Sequence, residues 1–256
     1  MSEERLEILE NYLKNYGRFV EEQNIQIEML KEKNKELTER IDGLEDRALG
    51  FDVVVQNNER YNLNEAYDES FFDWSNNATQ QKILAEYYVP KLIKEFQPKY
   101  VLDVGCGSGQ WLDEYRKHSV KTKGVEGSVN AWEIMSEETK EVVTQWDLRD
   151  PLPSDNQDYN IDFVQSFEVA EHIEENYANV FIYNITKDDP DVILLTAAPP
   201  GQNGHHHENC QEKEYWMKKM KNKGYISNVE LLNKIESWGV PDDCPLWWPH
   251  NLMVFT

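Results

Sequence analysis

The fold is decided by the stretch YVLDVGCGSG, which spans residues 100–109. Its first half is an apolar run that predicts a buried strand of a parallel sheet, and this strand leads directly into Gly105, Gly107 and Gly109. Because glycine lacks a Cβ, such a turn can bring bare backbone against a ligand at the carboxyl end of the strand. Taken alone the turn also fits an ordinary strand-to-helix connection. With the motifs that follow, it indicates a nucleotide-binding turn.

The charge of the chain limits the classes of partner. Its 256 residues include 26 basic and 48 acidic side chains, which gives a formal net charge of -22. A field of this sign repels phosphate backbones, so we expect no nucleic-acid partner. No apolar stretch is long enough to span a membrane, and the acidic N-terminus lacks the features of a signal peptide, so the expected location is cytoplasmic.

Residues 1–48 are predicted to form an N-terminal α-helical coiled coil that holds copies of the chain together. From Leu6 to Leu44 the core positions recur at alternating spacings of three and four residues. Asn34 occupies an a position, where a buried amide finds its partner only if two helices are parallel and in register. We expect a homodimer; a trimer, or a helix folded back on its own domain, also fits the spacing.

Residues 49–256 alternate between predicted helices and strands. Such alternation indicates a mostly parallel sheet that is covered by helices on both faces. The predicted elements include a helix over 76–96, a helix over 213–223, a strand that ends with residues 124–126, and strands at 100–104, 162–165, 192–196 and 252–256.

A carboxylate follows the second of these strands. Glu126 stands about 20 residues after the glycine turn, where an acidic side chain can accept hydrogen bonds from both ribose hydroxyls of a nucleotide ligand. The turn lacks the third glycine spacing of the dinucleotide fingerprint. In its order of motifs, from Gln80 to the C-terminus, the sequence resembles the class I S-adenosylmethionine-dependent methyltransferases. The resemblance implies a Rossmann-like α/β fold with a doubly wound, seven-stranded sheet.

The resemblance also implies roles for the donor-binding residues. Asp103 and the glycine turn would lie under the methionine part of S-adenosylmethionine, and Glu126 would bind its ribose. Asp147 would bind the adenine amino group, with Leu148 packing against the ring.

A candidate metal site follows the fourth strand. Glu168, Glu171 and His172 are spaced i, i+3 and i+4, so a helix beginning near Phe167 would project all three from one face. Downstream, a loop leads into three consecutive histidines. This pattern resembles the metal site of the plant small-RNA terminal 2′-O-methyltransferases and of the ubiquinone-pathway O-methyltransferases. The resemblance places His207 as the fourth ligand, with His205 as the alternate.

Two carboxylates and two imidazoles suit Mg²⁺ or Mn²⁺, and a bound divalent ion lowers the pKa of a hydroxyl that it contacts. Without an ion, His172 and His207 are the candidates for a general base. We therefore expect an O-methyltransferase that acts on a hydroxyl of a sugar or glycan. The alternatives are a catechol or quinone-like phenol as acceptor, and an inactive scaffold with a coiled-coil tail.

Overall fold

The computed structural model describes residues 31, 33, 60–67, 75–153, 160–242, 244 and 247–256. The chain divides into two compact units, Met1–Ala48 and Leu49–Thr256. In the first unit only Lys31 and Lys33 are described, and both are helical. The predicted coiled coil over residues 1–48 therefore lies outside the described residues and stays a prediction.

Six strands form one sheet in the described part of the second unit, in the order β3-β2-β1-β4-β5-β6. Strands β1 to β5 are parallel, and β6 is antiparallel to β5. The strands are β1 Tyr100–Val104, β2 Lys121–Glu126, β3 Val143–Gln145, β4 Phe163–Ser166, β5 Val192–Thr196 and β6 Leu252–Phe255. The predicted strands are confirmed to within a few residues at their ends.

Helices follow most of the strands. The α-helices are α1 Leu63–Ala66, α2 Ser75–Phe96, α3 Gln110–Lys117, α4 Val129–Ile134, α5 Glu137–Lys140, α6 Ala178–Thr186, α7 Lys213–Lys221, α8 Val229–Glu236 and α9 Trp247–Asn251. Two short 3-10 helices, Ala170–His172 and Glu175–Tyr177, lie between β4 and α6. The helices predicted over 76–96 and 213–223 are confirmed as α2 and α7. None of the described helices is both long and apolar enough to cross a membrane.

The sheet is covered on both faces, as the alternation of elements predicts. Side chains of β4 alternate between two apolar layers: Phe163 packs with α2 and α3, whereas Val164 packs with α6 and α7. Trp248 of α9 belongs to the first layer and Trp216 of α7 to the second, and both are fully buried. Burial of each large apolar side chain contributes roughly 1.5–3 kcal/mol to folding. The two layers hold the sheet rigid beneath the site.

The seventh strand expected from the resemblance is reduced to one bridge in the described residues. Ser227 pairs with Phe255 on the free edge of β6, where a further strand would stand. The pairing stops because the side chain of Asn228 accepts a hydrogen bond from the N–H of Leu231 and caps α8. The chain thus turns into a helix after one bridging residue.

The strand order changes direction between β1 and β4. From β1 the sheet extends to β2 and β3 on one side and to β4, β5 and β6 on the other. In open α/β sheets ligands bind outside the carboxyl ends of the strands at this point. The turn after β1 and the segment after β4 are thereby brought side by side.

Candidate active site

The glycine turn lies at the carboxyl end of β1 and has a left-handed backbone. Gly105 has φ 81° and Gly107 has φ 52°. A Cβ on Gly105 would stand 2.4 Å from Cγ2 of Val169, whereas a Cβ on Gly107 would meet no atom within 4 Å. Gly105 therefore allows the turn to pack against the segment after β4, and Gly107 faces open space. Gly109 caps α3 and does not line the cavity described below.

Glu126 is tied to the same turn. Its two carboxylate oxygens accept hydrogen bonds from the backbone N–H groups of Gly107 and Ser128, each at 2.8 Å. Burial raises the pKa of Glu126, while these N–H groups favour the ionised form. The carboxylate is thus held at the end of β2 with lone pairs still available for hydroxyl donors.

Asp103 belongs to a buried hydrogen-bond chain. The hydroxyl of Tyr115 donates to Oε1 of Gln165 at 3.1 Å, and Nε2 of Gln165 donates to Oδ2 of Asp103 at 3.0 Å. Because the hydroxyl of Tyr115 occupies the amide oxygen of Gln165, the amide nitrogen of Gln165 is the atom that faces Asp103. Burial raises the pKa of Asp103 to about 7, and the charge of Glu126 adds to this shift.

Asp147 lies just after β3 and is held by Arg149. Nη2 of Arg149 donates to Oδ2 of Asp147 at 2.8 Å, and Nε donates to Oδ1 at 3.0 Å. Nη1 of Arg149 donates to Glu174 at 3.1 Å. Leu148 is buried beside Asp147. Arg149 was not identified from the sequence, although its spacing of two residues from Asp147 permits such a fork.

One cavity of about 1200 Å³ contains most of the predicted site residues. Its volume exceeds the usual range for a single drug-sized ligand, so a donor and an acceptor can both fit. The predicted site residues that line it are Asp103, Gly105, Gly107, Glu126, Asp147, Leu148, Glu168, His172 and His207. Glu171 is fully buried behind this lining.

The prediction of an α-helix that begins near Phe167 is wrong. Glu168 has a left-handed backbone with φ 54°, and only a 3-10 helix over Ala170–His172 follows. Because this residue reverses the chain, Glu168, Glu171 and His172 do not share an α-helical face. The carboxylate of Glu168 instead accepts hydrogen bonds from Asn251 at 3.1 Å and from Gln202 at 3.3 Å. Asn251 and Gln202 were not identified from the sequence, because neither belongs to the motif around Glu168.

Glu171, His172 and His207 form a compact cluster despite this difference. One ligand atom from each lies within 4.8 Å of the others. The loop is held there because the carbonyl oxygen of Glu171 accepts hydrogen bonds from the N–H groups of Glu208 and Asn209, at 2.9 and 2.8 Å. The alternate ligand, His205, stands outside the cluster, and its Nε2 is hydrogen-bonded to the carbonyl oxygen of Ala66.

Both imidazoles of the cluster are oriented by backbone carbonyls. Nδ1 of His172 bonds the carbonyl oxygen of His206 at 3.0 Å, and Nδ1 of His207 bonds that of Gln202 at 3.1 Å. Because a carbonyl only accepts, each Nδ1 carries a proton, and in the neutral form of either ring Nε2 is the nitrogen with the lone pair. Burial lowers the pKa of His172 to about 4, so this ring is neutral at pH 7.

The carboxylate of Glu171 is buried with little compensation. Neither of its oxygens has a well-formed hydrogen bond among the described residues. Burial, followed by the charge of Glu168, raises the pKa of Glu171 well above its ordinary value. A buried carboxylate without donors is unfavourable unless a proton or a cation compensates it.

The segment Arg60–Tyr67, which we call the strap, contributes to the cavity wall and joins two halves of it. The donor half is lined by the glycine turn, Glu126 and Asp147, where the resemblance predicts the methyl donor, and the histidine half by His172 and His207. At the donor half, the carbonyl oxygen of Tyr61 accepts from Arg149 at 3.2 Å and that of Tyr67 accepts from Asn130 at 2.6 Å. At the histidine half, Tyr61 donates its hydroxyl to the carbonyl oxygen of His172 at 2.7 Å. The sequence offered Tyr61 and Tyr67 only as aromatics that could line a sugar pocket, and the bridging position of the strap was not predicted, because the segment precedes the motifs.

Comparison with known proteins gives a family match over the core of the second unit. Residues 78–235, more than half of the chain, match the family described as a methyltransferase domain. No curated protein sequence matches this chain significantly.

Several solved structures are similar in fold. The sugar N-methyltransferase KedS8 from Streptoalloteichus sp. ATCC 53650 is 14% identical, with a TM-score of 0.53 over 72% of this chain and 91% of that one. A SAM-dependent methyltransferase from Archaeoglobus fulgidus is 15% identical, with a TM-score of 0.50 over 72% and 97%. The methyltransferase domain of bacterial CtHen1-CN is 22% identical, with a TM-score of 0.44 over 58% and 87%. At these identities the likeness to the first two structures shows a shared fold and nothing more.

Proposed function

Because this chain belongs to the methyltransferase domain family, we propose that it transfers a methyl group from S-adenosylmethionine to a hydroxyl of a sugar or glycan. One observation carries the proposal of an oxygen acceptor. A buried carboxylate without well-formed hydrogen bonds and two imidazoles whose Nδ1 atoms are bound to backbone carbonyls gather beside the cavity that contains the glycine turn. A hydroxyl is a poor nucleophile at neutral pH, and this is the kind of site that increases its reactivity.

The donor is bound by residues from the ends of three parallel strands. Asp103 and the backbone around Gly107 face the part of the cavity proposed for the methionine moiety, Glu126 the ribose, and Asp147 with Leu148 the adenine. The family match supports S-adenosylmethionine as the ligand. These residues would hold the donor, whose sulfonium supplies the methyl group, in the same cavity as the segment after β4. Such orientation is a large part of the rate gain in a two-substrate reaction.

The cluster after β4 fits a divalent cation such as Mg²⁺ or Mn²⁺. Glu171, His172 and His207 would hold it, together with Glu168, whose carboxyl group contacts that of Glu171. The fit rests on the uncompensated oxygens of Glu171 and on the backbone carbonyls that leave each Nε2 free. When bound, a divalent ion supplies Lewis acidity that lowers the pKa of a contacting hydroxyl.

In the transfer, the acceptor oxygen attacks the methyl carbon, the bond from that carbon to sulfur breaks, and S-adenosylhomocysteine leaves. The hydroxyl proton must pass to a base. In a site without an ion, Nε2 of His207 is placed to accept it, because Nδ1 already carries a proton. Gln202 and Asn251 keep the carboxylate of Glu168 directed into the site.

The test is a methyl-transfer assay with labelled donor, sugars and catechols as acceptors, and mass detection of the product. We expect transfer to sugars, loss of turnover in EDTA and recovery with Mn²⁺ or Mg²⁺. Glu171→Gln should lose Mn²⁺ binding by calorimetry while donor affinity is unchanged. Full turnover in EDTA would reject the metal, and transfer to catechols alone would reject the sugar. The inactive-scaffold alternative requires that S-adenosylmethionine gives no binding heat.

For residues 1–48 we retain the parallel coiled-coil homodimer as a proposal based on the heptad spacing. Light scattering of the full chain tests it, because a monomer would be incompatible with it. Asn34→Ile should raise thermal stability and loosen the choice between dimer and trimer.

A further inference from the structure

The lining of the cavity is acidic and rich in amides, and no Lys or Arg of the described residues contributes to it. Its carboxylates are those of Glu65, Asp103, Glu126, Asp147 and Glu168. Its amide side chains are those of Gln80, Gln81, Gln110, Gln202 and Asn203. We infer that the acceptor is a sugar bearing no phosphate or carboxylate group where it enters the cavity, an inference that rests on the proposed function.

The positive charges proposed to bind in the cavity, those of the donor and of a divalent cation, are balanced by the carboxylates of the lining. They are therefore not available to an anionic acceptor. Asp103, Glu126 and Asp147 face the proposed donor half, and S-adenosylmethionine brings one ammonium and one sulfonium against a single carboxylate. Glu168 lies against Glu171 in the cluster proposed for a cation. No Lys or Arg side chain of the described lining is present to pair with an anionic acceptor. A phosphate entering the cavity would lose water and would meet no Lys or Arg of that lining.

Two described arginines that contact Asp147 or Asp150 are already engaged. The guanidinium of Arg149 is shared among Asp147, Glu174 and the carbonyl oxygen of Tyr61, and only 3% of its side chain is exposed. The guanidinium of Arg60 donates to Asp150 at 2.8 and 2.9 Å and to the hydroxyl of Tyr177 at 3.2 Å. Neither can turn toward a phosphate without leaving carboxylates uncompensated.

The segments of the second unit that lie outside the described residues cannot add a Lys or Arg side chain to the lining. The parts of this unit that lie outside the described residues are 49–59, 68–74, 154–159, 243 and 245–246, and none of them contains Lys or Arg. The absence of basic residues therefore holds for these segments as well as for the described lining.

The amides supply the complementary argument for a neutral polyol. A Gln or Asn side chain both donates and accepts, which matches a hydroxyl and gives no net charge. Gln81 accepts a hydrogen bond from the indole of Trp111 at 2.9 Å, and Trp111 itself lines the cavity. An aromatic face beside fixed amides offers both an apolar surface and hydrogen bonds to an uncharged sugar ring.

The test uses one sugar in three forms: its methyl glycoside, its phosphate monoester and its nucleoside-diphosphate derivative. We expect kcat/KM for the methyl glycoside to exceed that for either phosphorylated form by at least about tenfold, since an unpaired like charge is strongly disfavoured. Equal or faster transfer to a phosphorylated form overturns the inference while leaving the proposed function intact. If none of the three forms accepts a methyl group although the donor binds, the proposed function fails, and this inference fails with it.

A charge-insertion variant separates the cavity from the overall charge of the protein. Gln80→Lys places one cation in the lining and should raise kcat/KM for the phosphate monoester relative to the methyl glycoside. Gln80→Met, of similar size and no charge, should leave that ratio unchanged. Asn233→Lys adds the same charge at an exposed position of α8, outside the lining, and should also leave the ratio unchanged. An equal shift with Asn233→Lys would mean that the net charge of -22 sets the preference, and would overturn the inference.

Discussion

Tyr61 holds the backbone of His172 from across the cavity. Its hydroxyl donates to the carbonyl oxygen of His172 at 2.7 Å, and its ring stacks on His206 with 5.4 Å between centroids. The carbonyl oxygen of His206 in turn bonds Nδ1 of His172. Burial raises the pKa of Tyr61 to about 12, so its hydroxyl keeps its proton at neutral pH. One strap residue thus positions His172 through its backbone and, through His206, its ring.

Tyr61→Phe should therefore impair the reaction more than it impairs the fold. The change removes the hydroxyl and keeps the stacked ring, so the expected loss of stability is about 0.5–1.5 kcal/mol. We expect kcat to fall with little change in donor affinity, because the donor-side carbonyl of Tyr61 is retained. Steady-state kinetics and donor calorimetry check this. Tyr61→Leu also removes the stacking on His206 and should lower kcat further. Equal kcat in wild type and Tyr61→Phe would contradict the positioning role.

Two glycines of the same turn should respond differently to alanine. Gly105→Ala places a Cβ 2.4 Å from Val169, so it should strongly lower the melting temperature. Gly107→Ala meets no protein atom and adds backbone strain of about 1 kcal/mol, yet its Cβ would occupy space proposed for the donor. We expect it to stay folded and lose S-adenosylmethionine binding. Melting temperatures measured with and without S-adenosylmethionine distinguish the two effects. Unchanged donor affinity in Gly107→Ala would mean that the donor binds elsewhere.

The part of the site that could be predicted from sequence is the part encoded locally. A buried apolar run followed by Gly105 and Gly107 has few other structural solutions, and the spacing to Glu126 follows from the strand–helix–strand repeat. These are features of the backbone path, which sequence patterns report well.

What sequence could not supply depends on distant contacts or on a single backbone angle. The left-handed conformation of Glu168 replaced the expected helix, and no residue pattern marks it in advance. Asn251 reaches Glu168 only because α9 and β6 return to the sheet 83 residues later. The strap is positioned by Arg149, a partner 88 residues away from Tyr61. The seventh strand ended early because Asn228 caps α8.

The raised pKa of Asp103 predicts pH-dependent donor binding. With a pKa of about 7 in the folded protein, Asp103 is largely protonated at pH 5.5 and ionised at pH 8. If the ionised form binds the donor ammonium, affinity should rise by up to about tenfold per pH unit below pH 7 and level off above it. Calorimetry at several pH values checks this. Asp103→Asn should bind weakly at every pH, and a flat wild-type profile would refute the assignment.

The buried carboxyl group of Asp103 should also lower the stability of the folded protein at high pH when no donor is bound. Its folded pKa lies above the ordinary value of 3.8, so its contribution to stability is fully present below pH 3.8 and is lost progressively as the pH rises to about 7. Asp103→Asn without donor should therefore melt higher than wild type at pH 8, and the difference should shrink as the pH falls toward 3.8. Its amide oxygen can still accept from Gln165, which keeps the comparison close. An equal melting temperature at pH 8 would indicate that ionised Asp103 is better solvated than its burial implies.

Gly204 offers a way to move His207 without changing it. A Cβ on Gly204 would stand 1.9 Å from Nε2 of His207, so Gly204→Ala must displace the imidazole. We expect lower Mn²⁺ affinity and turnover with donor affinity unchanged, because Gly204 lies in the loop before α7 and far in sequence from the donor turn.

Gly201→Ala is the matched control in the same loop. Its Cβ meets no atom within 4 Å, although its φ of 88° adds strain. If strain in the loop alone governed activity, Gly201→Ala would be the more damaging change, because the left-handed backbone lies at Gly201. If His207 must stand where it does, Gly204→Ala should be the more damaging, in both Mn²⁺ calorimetry and turnover. The order of the two variants therefore tests the position of one nitrogen atom independently of any substitution at the proposed ligands.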